Sequence, residues 1–450
     1  MPHDCEDRVI STTDTIVAIA TPRGRGALGM VRLSGGDSIQ IVSALTDRDR
    51  AFRPRYATLC RVRGIDEVVV TVFRSPASFT GEDVVEITAH GSPVVLDAIV
   101  SGAVGHGARL ATPGEFTLRA VLHGRRDLVQ AEAVADLIDA STSLQARTAF
   151  DQLDGTLTAR ITGIERVLFD LQARLEASLD FPEEGYRFVE AHQVEAELKR
   201  ALADVNALLL DGRTGRVVRE GATVVLAGRT NAGKSSIFNR LLGRDRAIVA
   251  ATAGTTRDFV AEHVDLDGIA VTLVDTAGMG VAGDAVEAEG MARAVAAHGA
   301  ADVLLVVVDG SAPLGDDDRA LLGDAVGRRH LVVWNKQDLG SIVGVVGGGV
   351  AVSALTGLGL DVLRARLVAL LCGGEGPREA PALSNIRHIT LLETVAGLLE
   401  RAVEASARVA PEEFVLSEIS AARGLLEEVT GVRGSEAVLE EIFSKFCVGK

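Results

Sequence analysis

One stretch constrains this chain more than any other: Gly228-Arg-Thr-Asn231-Ala232-Gly233-Lys234-Ser235, placed directly after the apolar run TVVLAG (223–228). The spacing is that of a phosphate-binding loop, and the context of strand, glycine-rich loop and helix is the one such a loop requires. Glycines let main-chain N–H groups face an anion at a helix start. Lys234 is then placed to neutralise β- and γ-phosphates, and Ser235 to give an oxygen to Mg²⁺. The neighbouring sequence agrees. TVVLAG, IAVTLVDTAG, ADVLLVVVDG, RHLVVWNK and GVAVSAL alternate with helical segments between residues 220 and 375. Such alternation predicts a parallel sheet with helices on both faces.

Three further motifs follow in order. Asp275-Thr276-Ala277-Gly278 ends an apolar run, as a metal-side Asp does in nucleotide hydrolases, and Gly278 would bring its N–H to the γ-phosphate. Asn335-Lys336-Gln337-Asp338 ends another run. The Asp338 carboxylate matches the N1 and N2 donors of guanine, a pair that adenine lacks. Ser353-Ala354-Leu355-Thr356 fits a loop that supports the guanine carbonyl with a main-chain N–H. GTP is therefore the expected nucleotide, with ATP the competing reading. Its candidate contacts are Asn231 to Ser236, Ala250, Ala251, Thr252, Ala253, Gly254, Thr255, Thr256, Asp275 to Gly278, Asn335, Lys336, Asp338 and Ser353 to Leu355.

How hydrolysis is assisted is less direct. The residue after Gly278 is Met279, which cannot orient water, and Gly280 follows, so neither a glutamine nor an arginine finger is supplied there. Asn231 offers a neutral oxygen near the β/γ bridge, and the segment 247–258 has carbonyls to wrap the same point. A monovalent cation held there would act as an arginine does. Thr256 is the expected switch residue on Mg²⁺.

The chain has 450 residues, enough for two to four domains. Residues 1–124 read as mixed α/β, with runs such as TIVAIA and EVVVTVF. Residues 125–219 and 376–450 carry helical periodicity, and Phe181-Pro182-Glu183-Glu184-Gly185 breaks the first of these two stretches. One helical domain with the nucleotide domain inserted is the simpler topology; two separate helical domains are the alternative. A formal charge of −16 makes a general nucleic-acid coat a poor reading, though a local basic patch for one RNA stays open. Cys5, Cys60, Cys372 and Cys447 form no CxxC pair, which points away from zinc or a disulfide framework and towards the cytoplasm. The start MPHDCEDR lacks signal-peptide features. The uncharged stretch 339–360 is glycine-rich and contains the Ser353 motif, so we do not read it as a membrane span.

The switch GTTRD (254–258) together with Asn231 resembles the TrmE/MnmE family of tRNA-modification GTPases. So do DTIVAIATPRGRGALGMVRLSG (14–35), SFTGEDVVEITAHG (78–91), TPGEFTLRAVLHGRRDLVQAEAVADLIDA (112–140) and IFSKFCVGK (442–450). The resemblance implies a potassium-dependent GTPase that dimerises through an N-terminal α/β domain, followed by a helical domain with an inserted Ras-like G domain. It implies K⁺ ligands at Asn231, Ala250, Thr252 and Thr255, and Glu287 as the residue that orders the attacking water. It implies a formyl- or methylene-tetrahydrofolate site at Arg32, Glu86, Arg125 and the terminal Lys450, with Cys447 nearby as a possible nucleophile. The implied partner is a flavoprotein of the MnmG/GidA type that carries the FAD. Together they would add an aminomethyl-type group, such as carboxymethylaminomethyl, to C5 of the wobble uridine of certain tRNAs, with glycine or ammonium as nitrogen source. By the same resemblance the FAD belongs to the partner only. Two features depart from the family pattern, Gly280 and the continuation of FPEE as GYRF; Arg125 stands where a lysine is also found, so a cation is kept. A ribosome-assembly GTPase of the Era/Der type is the alternative, and a signalling switch with an external activating protein a third reading.

Overall fold

In the computed structural model the described residues are 13–180, 190–244, 260–275, 301–340, 349–374, 382–408, 411–433 and 436–449. The chain divides into two compact units, residues 1–135 with 430–450, and residues 136–429.

The first unit is built on a six-stranded sheet in the order β3-β4-β5-β2-β1-β6. Its strands are β1 (Ile16–Ile19), β2 (Leu28–Ser34), β3 (Thr58–Val62), β4 (Asp66–Phe73), β5 (Val84–His90) and β6 (Arg109–Leu110). All neighbours are antiparallel except β1 and β6. Residues along β4 alternate: Val68, Val70 and Val72 are buried while Glu67 and Val69 are exposed. One face therefore packs on α1 (Ser38–Leu45) and α2 (Pro93–Gly105), through Val31, Leu33, Ile41, Ile87 and Ile99. Each such side chain, fully buried, stabilises by about 1.5–3 kcal/mol. Near β1 the other face is covered by Phe116 of α3 (Glu115–Leu122). The helix Glu436–Ser444 and the residues after it bring Phe443 and Phe446 against Leu118 of α3 and Leu128 and Ala131 of α4 (Leu128–Asp139).

Inside this unit lies a charge cluster that no sequence motif announces. Arg119 is fully buried. It donates to the Asp14 carboxylate at 2.6 Å and carbonyl at 2.7 Å, to Glu115 at 3.0 Å and to both Glu82 oxygens at 3.2 Å. Arg109 joins Asp14 and Glu115 from the β6 side.

The second unit holds helices α5 (Ser143–Leu153), α6 (Thr156–Asp180), α7 (Ala191–Glu220) and Ile386–Ala407, together with the α/β domain. Its sheet runs β12-β11-β10-β7-β9-β8. Here β7 is Ala222–Ala227, β8 Val260–Leu266, β9 Ile269–Asp275, β10 Val303–Asp309, β11 His330–Asn335 and β12 Val350–Ala351. Every pairing is parallel except β8 with β9. The all-parallel expectation misses β8, because its acidic and histidine positions (VAEHVDL) hide the alternation of an edge strand. Strand β10, VLLVVVD, is buried throughout, as a central strand covered on both faces must be. Val224 and Leu226 of β7 point into one core, Val225 and Ala227 into the other. Helix α8 (Lys234–Arg244) and helix Leu360–Leu371 supply residues to the first core, and helix Asp316–Ala325 to the second. No helix among the described residues is long and apolar enough to cross a membrane.

Candidate functional site

The loop 228–233 joins the end of β7 to the start of α8. Its glycines are needed for space. A Cβ on Gly228 would lie 2.3 Å from the Val307 carbonyl oxygen, and one on Gly233, at φ +95°, 2.2 Å from Asn335 Nδ2. Asn231 adopts φ +61°, a left-handed conformation that asparagine tolerates better than most residues, and its side chain is exposed.

Lys234 is buried, and its ammonium is held inside the loop by the carbonyls of Gly228 at 2.7 Å and Arg229 at 3.0 Å. Burial pushes its pKa below the ordinary lysine value, against an opposing attraction from Asp275. Ser235 Oγ donates to Asp275 Oδ2 at 2.7 Å, so the hydroxyl from α8 and the carboxylate from the end of β9 meet. Two hard oxygen donors in contact suit a magnesium ion. Ser236 is exposed one residue further along α8.

Asn335 is the knot of the site. Its Nδ2 donates to the Ala232 carbonyl at 2.9 Å, and its Oδ1 accepts from the Ala354 N–H at 3.0 Å. One buried side chain thus ties the phosphate loop to the Ser353 loop. Asp338 is exposed and accepts from Ser353 Oγ at 2.5 Å. Leu355 is exposed beside it. Lys336, at φ +64°, donates to Asp309 Oδ2 at 2.7 Å. Burial alone would raise the Asp309 pKa; the bonds from Lys336 and Ser311 hold it below the usual carboxylate range. Asp309 escaped the sequence reading, although it ends an apolar strand as Asp275 does. Arg240 of α8 also escaped it; its guanidinium donates to the carbonyls of Ala354, at 2.8 Å, and Leu355.

The structure therefore brings together Asn231 to Ser235, Asp275, Asn335, Lys336, Asp338 and Ser353 to Leu355 around one end of the sheet. Ala250, Ala251, Thr252, Ala253, Gly254, Thr255, Thr256, Thr276, Ala277, Gly278, Met279, Gly280 and Glu287 lie outside the described residues, as do Lys450 and the FPEEGYRF segment.

A second polar site lies on the first unit. Arg32 and Glu86 are register partners on β2 and β5. Arg32 reaches Glu86 Oε1 through Nε at 3.1 Å and Nη2 at 2.8 Å, which leaves Oε2 outside the pair. The guanidinium lies over the rings of Phe79, 5.2 Å away, and Phe116, 5.9 Å away, and Arg126 approaches Phe79 from its own side at 5.5 Å. Arg125 is exposed, with its side chain against Gly81: a Cβ there would lie 3.2 Å from Arg125 Cγ. Phe79 and Arg126 were missed because both lie in connecting segments, and the fold rather than sequence spacing brings them to Arg32. The C-terminal tail reaches the same sheet. Val448 bridges to Pro113, and a Cβ on Gly449, at φ +96°, would lie 2.2 Å from the Ile19 carbonyl oxygen. Cys447 is exposed, and its carbonyl accepts from the Gly114 N–H at 3.4 Å.

Known proteins match this chain over nearly its whole length. A family model described as the MnmE helical domain matches residues 128–447, and one described as GTP-binding protein TrmE N-terminus matches residues 15–125. The tRNA modification GTPase MnmE of Sodalis glossinidius is 41% identical over 98% of this chain and 100% of its own length. That of Koribacter versatilis is 41% identical over 97% and 99%. Of solved structures, the G domain of the T. maritima FeoB iron transporter covers 33% of this chain and 98% of its own at 25% identity, with a TM-score of 0.26.

Proposed function

The chain belongs to the MnmE/TrmE family of tRNA modification GTPases, and from that premise we propose a potassium-assisted GTP hydrolysis that drives modification of C5 of the wobble uridine. The observation that carries this reading is the junction at Asn335, which ties the phosphate loop to the loop expected to meet guanine. Phosphate and base recognition are thereby built as one piece. Lys234, with its ammonium already desolvated, meets the β- and γ-phosphates. Ser235 and Asp275 serve Mg²⁺, joined by Thr256. Asp338 takes the guanine N–H donors.

For potassium, Asn231 is the ligand that the described residues offer, with Ala250, Thr252 and Thr255 as the others. The bound cation would supply the charge stabilisation that Met279 and Gly280 do not. Glu287 orders the water. In the first unit, Arg32, Glu86, Arg125 and Lys450 would hold a tetrahydrofolate, whose chemistry is supply of a one-carbon unit. The pair fits such a ligand: Glu86 Oε2 is left to accept from a pterin, and Arg125 is exposed for a carboxylate tail. The protein works as a homodimer with an FAD-bearing partner of the MnmG type on tRNA. The match to tRNA modification GTPases over nearly the whole chain speaks against the ribosome-assembly alternative.

The test is the GTP hydrolysis rate of the purified chain in KCl and in NaCl at equal ionic strength, with Asn231→Ala alongside. Stimulation by K⁺ that the variant loses is the expected result. Equal rates in both salts would remove the cation from the mechanism while leaving a GTPase.

A further inference from the structure

The turn between β8 and β9 belongs to neither site described above, yet both its strands lead into the nucleotide site. Strand β8 begins at Val260, directly after the switch segment, and β9 ends at Asp275, whose carboxylate meets Ser235. The two strands close through Asp267 and Gly268, both at positive φ (51° and 92°), as a two-residue hairpin loop requires. Asp265 Oδ1 fixes the loop by accepting the Gly268 N–H at 2.6 Å.

Helices grip this turn. Thr142, the buried N-cap of α5, donates its hydroxyl to the Gly268 carbonyl at 2.7 Å and accepts the Gln145 N–H at 3.2 Å. One hydroxyl thus caps the helix and holds the hairpin at once. Leu144 lies so close that a Cβ on Gly268 would come within 2.7 Å of its Cβ. Gln145 Nε2 donates to the Arg219 carbonyl at 3.2 Å, linking the start of α5 to the last turn of α7. Gly221, which follows α7, abuts β9 itself: a Cβ there would lie 2.5 Å from the Ala270 carbonyl oxygen. Strand β9 is paired with β7 on one side and β8 on the other, which braces its seven residues, about 20 Å, into one stiff element. A change at the Asp275 end therefore has a rigid path to a point where two helix ends are fastened.

We propose that the β8–β9 turn is the lever through which nucleotide state reaches the helices, with Thr142 the positioning residue that couples α5 to it. The inference rests on GTP binding at the Lys234 loop. Thr142 touches no phosphate; it acts through Gly268.

Hydrogen–deuterium exchange on the full-length chain tests this, comparing GDP with a non-hydrolysable GTP analogue. Amides of the first turn of α5 are expected to differ between the two nucleotides by about 5-fold or more. Thr142→Val is expected to abolish that difference while its GTP hydrolysis stays near wild type. Thr142→Ser, which keeps the hydroxyl, restores it. Gly268→Ala, which forces a methyl onto Leu144, is expected to lose the difference as well. No difference in the wild-type chain, or an unchanged one in Thr142→Val, would overturn the proposal. A fluorescent-GTP titration comes first: absence of binding there sinks the nucleotide reading itself, and the lever with it.

Discussion

Two buried cations, Arg119 in the first unit and Lys234 in the second, show how differently one chain can use a charge removed from water. Arg119 is surrounded by three carboxylates, those of Asp14, Glu82 and Glu115. Lys234 has two main-chain carbonyls and only a through-space attraction to Asp275. Burying a charge costs several kcal/mol unless a partner is built in. For Arg119 the partners come from the strand start, the β5 approach and α3, so the charge fastens three segments and has no use for a ligand. For Lys234 the balancing charge has to arrive from outside. A buried cation with its counter-charges in the chain belongs to architecture; one without them is poised for an anion.

The largest effect expected from breaking this contrast is on stability. Arg119→Ala takes the cation from Glu82 and leaves Arg109 alone to serve Asp14 and Glu115, and the first unit should lose about 3–5 kcal/mol. Denaturant unfolding with a probe in that unit measures it, and a loss under about 1 kcal/mol would mean that the cluster is not structural. Lys234→Met reverses the pattern. The methionine fills the same space without a desolvated charge, so unfolding without nucleotide should be unchanged or slightly harder, while hydrolysis falls by about 10²–10³-fold. Loss of stability matching the Arg119 variant would erase the distinction. Asn335→Ala comes next. It strips partners from the Ala232 carbonyl and the Ala354 N–H, each of which then costs about 1–3 kcal/mol unless water replaces it. GTP affinity, read by titration, should weaken more than stability does, because the two loops are untied where the ligand bridges them.

The contrast also explains what could be read from sequence. Around Lys234 the chemistry is mostly local: glycines, a lysine and a hydroxyl within one loop, and strand ends marked by Asp or Asn. Main-chain recognition of phosphate dictates those spacings, so the motif was legible. The Arg119 cluster was not, because its partners lie 105, 37 and 4 residues away and each alone looks like a surface charge. Thr142 and Gly268, 126 residues apart, were hidden for the same reason. The alternation of β4 and the unbroken apolar run of β10 announced their strands, whereas the charged positions of β8 concealed an antiparallel edge. Arg32 and Glu86 were assigned from resemblance; that they are direct neighbours is a consequence of β2–β5 register, which a single sequence does not print.

The smallest and most general test is pH, and the two cations predict opposite ends of the scale. Burial alone would raise the pKa values of Asp14 and Glu115, but hydrogen bonds from Arg109 and Arg119 outweigh it and hold both below their ordinary values of 3.8 and 4.5. A depressed carboxylate contributes stability that is fully present above its unfolded pKa and disappears as pH falls through the folded one. The first unit should therefore hold its stability down to about pH 4.5 and lose it progressively below, and Arg119→Ala should flatten that slope. Lys234 works the other way. Its pKa is depressed while phosphate is absent and rises when phosphate binds, so binding is linked to proton uptake. GTP affinity should accordingly hold at neutral pH and weaken as pH rises through the depressed value, before the ordinary lysine value of 10.5 is reached. Affinity that stays flat up to that value would mean that the buried ammonium is already compensated within the chain, and that the two cations differ less than their surroundings indicate.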